Sequence, residues 1–185
     1  MPIVTLALIV LNFAVYALER EAGGQVLCDA HGLIPAQFMS SGELGPIFTS
    51  MFLHDPGTLL HIGGNMAFLL VFGALVEGRL GHRGFLGLYL ASGVFGGLLH
   101  VLVDPSATNP LVGASGAVFG VLAVAGVLRP RMLGFVIAFA GIEVWRAFTG
   151  LDPGVSFGAH IGGLLAGSVV ASILRALGSE ALEPA

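Results

Sequence analysis

From residue 84 to residue 103 the chain reads GFLGLYLASGVFGGLLHVLV, with no acid, lysine or arginine. A stretch of that length and polarity constrains the fold more than any motif. The hydrocarbon core of a bilayer is about 30 Å thick, and roughly 17–25 mostly apolar residues cross it as a helix. Inside lipid no water satisfies backbone N–H and C=O groups, so the segment must satisfy them itself. A helix does so within one segment.

Five further apolar stretches accompany it, at about residues 2–18, 58–76, 115–128, 132–149 and 157–177. The chain is 56% hydrophobic and 10% charged, where soluble domains are roughly 45–50% and 25%. Mean hydropathy is +0.95. These values predict an all-α polytopic membrane protein of six helices, forming a single domain over 1–185 with a first outer loop at about 19–57. The stretch at 2–18 lacks a charged leader and cleavage site and is expected to be a retained span. The stretch at 115–128 is too short to cross the core alone. It is expected at the centre of the bundle, with residues 104–114 as a re-entrant segment covered by protein. The formal charge of −4 is dispersed, and the seven basic residues are all Arg with no basic run, so no nucleic-acid partner is expected. The single Cys28 forms no internal disulfide.

Arginine sets the orientation. Arg79, Arg83, Arg129, Arg131 and Arg175 follow even-numbered spans, whereas Arg20 and Arg146 lie at the other side. The positive-inside bias puts the five in the cytoplasm. Spans two, four and six then begin at the outer face.

Each of those beginnings carries polar side chains: His61 and Asn65 on span two, Ser115 on span four, His160 on span six. His61 and Asn65 are four apart and share a helix face. Gly116 and Gly120, like Gly163 and Gly167, form small-xxx-small pairs that let helix backbones approach closely. If those faces meet, Ser115 and His160 are carried together, with His61, Asn65 and the Ser115 N–H nearby as donors. Gly73 and Gly134 have no partner face in this arrangement. A serine in a membrane helix is also common as interface glue. His61, His100 and His160 are alternatively a metal set, although no His-Glu-x-x-His motif is present. The residues by themselves leave these readings open.

The motifs and their order resemble the rhomboid family of intramembrane serine proteases. Gly113-Ala-Ser-Gly116 resembles its nucleophile motif, and Ala159-His-Ile-Gly-Gly-Leu-Leu-Ala-Gly167 the segment bearing its general base. His61-Ile-Gly-Gly-Asn65 resembles the element lining its oxyanion hole, and Glu77-Gly-Arg-Leu-Gly81 a cap at the inner end of the second helix. The resemblance implies a Ser115–His160 dyad with no cofactor and no metal. It implies an oxyanion hole of His61, Asn65 and the Ser115 N–H, and packing support from Gly113, Gly116, Gly120, Gly163 and Gly167. It implies single-pass membrane proteins as substrates, within a bilayer, and a cavity open to the outer side. A bacterial inner membrane is the expected location. Many members carry Tyr four residues after the serine; here it is Phe119, which keeps the ring for stacking on His160 and loses the hydroxyl. Alternatives are a catalytically silent rhomboid-like protein that captures membrane helices, and a small transporter.

Overall fold

A computed structural model of the chain describes residues 1–149 and 156–176. The described residues form helices α1 (Ile3–Glu21), α2 (Gln25–His31), α3 (Pro35–Ser41), α4 (Gly45–Thr49), α5 (Leu59–Phe68), α6 (Ala74–Val103), α7 (Ser115–Leu128), α8 (Pro130–Thr149) and α9 (Phe157–Ala176), with a π-helical stretch, Leu69–Gly73, joining α5 to α6. Among the described residues, three apolar helical runs are long enough to cross a membrane: Ile3–Glu21, Leu59–Val103 and Phe157–Ala176. The second, 45 residues long, holds the expected spans two and three. It is divided at Gly81, whose φ of 68° and ψ of 171° interrupt the helix. Glycine populates that left-handed region without a Cβ clash.

Helix α1 shows how lipid inverts the usual pattern. Its inward residues include Thr5, Asn12 and Glu19, while Ile3, Leu6, Val10, Phe13 and Leu18 are exposed. Apolar side chains cost nothing against acyl tails, so polar ones are turned into the protein, where partners exist. At its first turn, which no side chain of its own caps, the buried Glu77 carboxylate of α6 accepts from the Val4 and Thr5 N–H groups at 2.9 and 2.7 Å and from Thr5 Oγ1 at 2.6 Å. An anion at a helix N-terminus both satisfies orphan donors and meets the positive end of the dipole. Gly73 belongs to the same contact. A Cβ there would meet Thr5 Cγ2 and Oγ1, each at 3.1 Å. The expectation that Gly73 faces no partner is therefore corrected: α1 lies against it.

Helix α7 is the centre. From Gly116 to Gly126 its residues are all buried, as befits a helix apolar on every side. Helices α6, α8 and α9 surround it. The contact with α9 is backbone on backbone. A Cβ on Gly163 would fall on the Gly116 carbonyl, and one on Gly167 would lie 2.7 Å from Gly120 Cα. The α6–α9 contact uses the next glycines round the helix. A Cβ on Gly162 would lie 2.7 Å from the Phe95 oxygen, and one on Gly158 would lie 2.8 Å from His100 Cα. Helix α9 thus presents one glycine pair to each neighbour, and dispersion at such short range replaces the hydrophobic drive that lipid removes.

Residues 104–114 are non-helical ahead of α7, and their backbone is satisfied by the first loop. Leu33 and Leu111 exchange N–H···O bonds at 3.1 and 2.9 Å, Ala36 N–H donates to Ala107 O at 3.0 Å, and Gly113 N–H to Ser50 O at 2.9 Å. Leu33, Ile47 and Val101 form a small core beneath them. The first loop therefore holds the segment that leads into Ser115.

Candidate active site

Ser115 is the first residue of α7, and Val118 N–H to Ala114 O at 3.0 Å is the first i→i−4 bond of that helix. The N–H groups of Ser115, Gly116 and Ala117 precede it. They form the positive end of a helix dipole, where an anion is stabilised. Ser115 is half-exposed, while the rest of the helix down to Gly126 is buried.

Gly113 turns the chain into this helix with φ of 128°, a conformation that side-chain-bearing residues rarely adopt. The missing side chain also makes room. A Cβ there would lie 2.8 Å from His61 Nε2 and 3.7 Å from Ser115 Oγ. The two polar atoms therefore flank the same side of Gly113. His61 Nδ1 accepts from Asp55 N–H at 3.2 Å. The neutral ring then carries its proton on Nε2, so a donor is aimed at Gly113 and Ser115. Asn65, one turn on, gives one Nδ2 hydrogen to His61 O at 3.1 Å. The amide's second hydrogen is left for another acceptor.

His160 lies on α9, buried, with its ring flat against Phe119 at 4.2 Å between centroids and 12° between planes. Phe119 is one turn below Ser115 on α7. Phe139 of α8 stacks on the other side of the cluster, 5.3 Å from Phe119. Beside His160, the Ala159 oxygen lies 3.2 Å from where a Gly116 Cβ would stand. Ser115 and His160 are thus carried to one end of neighbouring helices. At the same end, Ser156 Oγ hydrogen-bonds His100 Nδ1 at 2.7 Å. Asp152, weighed in the sequence as an orienting acid, lies outside the described residues, as do the Glu143 and Arg146 side chains.

The sequence marks His54, in Phe48-Thr-Ser-Met-Phe-Leu-His54, as a loop residue with a candidate role, but does not mark Asp55. Both belong to the first loop, which supplies the groups that set the His61 ring. The Asp55 N–H fixes its tautomer. His54, fully buried, meets it edge-on at 5.1 Å between centroids. His54 N–H bonds the buried Glu19 carboxylate at 2.9 Å, and Cys28 Sγ lies 3.4 Å from the same group. Burial first, then the nearby His61, push the His54 pKa down to about 3. A histidine whose folded pKa is lowered binds its proton more readily when unfolded. Its contribution to stability is complete above the ordinary value near 6.5 and is lost as pH falls toward the folded value. The melting temperature should therefore drop between pH 6.5 and 4, and His54→Phe should flatten that part of the profile. Glu19 and Cys28 contact the His54 backbone and His61 meets its ring, so the comparison is with the parent profile. Superimposable profiles would remove His54 as the cause.

Comparisons with known proteins agree with this architecture. Residues 41–177 match the Rhomboid domain. The chain is 30% identical over 152 residues to RHOMBOID-like protein 5 of Arabidopsis thaliana, covering 77% of this chain and 48% of the relative. It is 30% identical over 186 residues to Rhomboid protease GluP of Bacillus subtilis strain 168, covering 94% of this chain and 35% of the relative. Rhomboid-like protease 1 of Toxoplasma gondii is 33% identical over 144 residues, covering 70% and 46%. The chain spans half or less of the length of these relatives. Relatives named as mitochondrial and chloroplastic stand beside the bacterial one, so the comparisons do not support the expected bacterial inner membrane in particular.

Proposed function

The chain belongs to the rhomboid family of membrane proteins, and from that premise we propose that it is an intramembrane serine endopeptidase acting on transmembrane segments of single-pass proteins. The observation that carries this reading is the convergence on Gly113. Ser115 Oγ and the His61 Nε2 donor flank it at a helix N-terminus, and His160 is stacked on the same helix one turn below.

In the proposed cycle Ser115 Oγ attacks the scissile carbonyl carbon and its proton passes to the His160 ring. The carbonyl oxygen becomes an oxyanion, held by the Ser115 N–H, His61 Nε2–H and the second Asn65 Nδ2 hydrogen. Collapse breaks the C–N bond, and the leaving amine takes the proton from His160. Water then attacks the acyl-enzyme ester by the same route and frees Ser115. Donors fixed before reaction stabilise the oxyanion without reorganising. Helix packing keeps the nucleophile and base in register. Phe119 restricts the His160 ring by its face alone.

Labelling with a fluorophosphonate tests the reading, with the modified residue mapped by mass spectrometry. Adduct on Ser115 is expected, and an unlabelled active protein would overturn the reading. The same labelling separates this reading from a silent protein that only captures membrane helices. For the oxyanion hole, Asn65→Ala should lower kcat by roughly 10²-fold, since one lost donor typically costs about 10²–10³. A change in KM alone would make Asn65 a substrate-binding group.

A further inference from the structure

Ser156 immediately precedes α9, and its hydroxyl joins two helices. Oγ accepts from Ala159 N–H at 3.1 Å, which caps the helix, and lies 2.7 Å from His100 Nδ1 at the end of α6. The Ser156 carbonyl accepts from His160 N–H at 3.2 Å. With Nδ1 as acceptor, the Ser156 proton points at α6 and an oxygen lone pair is turned to Ala159 N–H. Directly beneath, Gly158 lies against the His100 backbone and Gly162 against Phe95 O and Gly96 Cα. The start of α9 therefore sits on α6 at close backbone range, and the Ser156–His100 bond is a polar contact between the two helices.

We propose that Ser156 and His100 are a positioning pair that sets the rotation of the first turn of α9, and through it the placement of the His160 ring against Ser115. This rests on the reading of His160 as the base. Ser156 and His160 are four residues apart, so they lie on one face of the helix and turn together. A rotation of about 10° moves a ring roughly 6 Å from the helix axis by about 1 Å, and a 1 Å misplacement costs on the order of 10²-fold in rate. Neither residue touches substrate in this account.

The test uses the full chain in detergent. It measures kcat and KM for a transmembrane peptide, the rate of fluorophosphonate labelling, and thermal melting. Ser156→Ala and His100→Ala should each lower kcat and the labelling rate by roughly tenfold, a tenth of the full 1 Å penalty, with KM little changed. The double variant should be no slower than either single, because both remove the same bond. Ser156→Thr keeps the hydroxyl and should restore the parent rate. Lower melting temperatures with unchanged kcat would make the pair a structural cap and overturn the proposal, as would additive losses in the double variant. Adduct on Ser156 would overturn it as well. Ser115→Ala run in parallel distinguishes the underlying reading: if that variant cleaves like the parent, the dyad fails and the positioning role falls with it.

Discussion

Ser115→Ala and His160→Ala are each expected to abolish cleavage while the protein still folds. Residues that act as one unit lose about 10⁶-fold in kcat when either is removed, and removing both costs little more. The double variant should therefore sit at the floor already reached by the singles. Ser115→Ala removes one oxygen from a half-exposed position, so its melting temperature should stay near the parent's. His160→Ala opens a space against Phe119 and should melt somewhat lower. Chelators should leave cleavage by the parent intact. Turnover by Ser115→Ala at the parent rate would end the dyad reading, and strong inhibition by a chelator would revive the three-histidine alternative of His61, His100 and His160.

Gly163→Val is expected to have the largest effect on stability. A Cβ on Gly163 would lie 2.7 Å from the Gly116 carbonyl carbon and on top of its oxygen. Both atoms are backbone of the central helix, so no rotamer change relieves the clash. The helices must separate, which also moves His160 from Ser115. Overpacking costs typically 1–3 kcal/mol, and the upper end corresponds to a fall of about 6–12 °C in melting temperature at roughly 2–4 °C per kcal/mol. Cleavage should fall with it, by about 10²-fold per Å of displacement. Gly134→Val is the control, since nothing lies within 4 Å of the added carbon. A Gly163→Val protein that melts and cleaves like the parent would show that the α7–α9 contact does not hold the site.

The two experiments separate chemistry from scaffold. The first deletes reacting atoms and leaves packing; the second leaves every reacting atom and spoils the packing. A protein in which the first kills activity without unfolding, and the second does both, has its site built on the helix contact proposed here.

The helical spans were legible in the sequence because lipid admits few solutions. An uninterrupted apolar stretch must form its hydrogen bonds within itself, so its length alone marks a helix. The stretch at 115–128 was bounded as it is found, Ser115–Leu128, with Arg129 and Pro130 closing it at the C-terminal end. The glycine faces were legible too, since four-residue spacing puts two glycines on one side of a helix. Position along each helix then brought Ser115, His61 and His160 to a common end.

Tertiary structure decided the rest, for one physical reason: each remaining feature depends on groups far apart in the chain whose meeting is set by helix crossing and rotation. Gly73 read as partnerless because Thr5, its partner, is 68 residues away, and only the approach of α1 brings them together. The His61 tautomer depends on a backbone N–H of Asp55, a donor every residue but proline carries and so invisible in sequence. Ser156 stood at an N-cap position four residues before His160, a local signal that sequence alone can give. Its bond to His100, 56 residues upstream, exists because glycines at 158 and 162 let α9 settle on α6. Apolar length and local spacing determined which segments become helices and which faces are small; close packing of those faces decided which polar atoms meet.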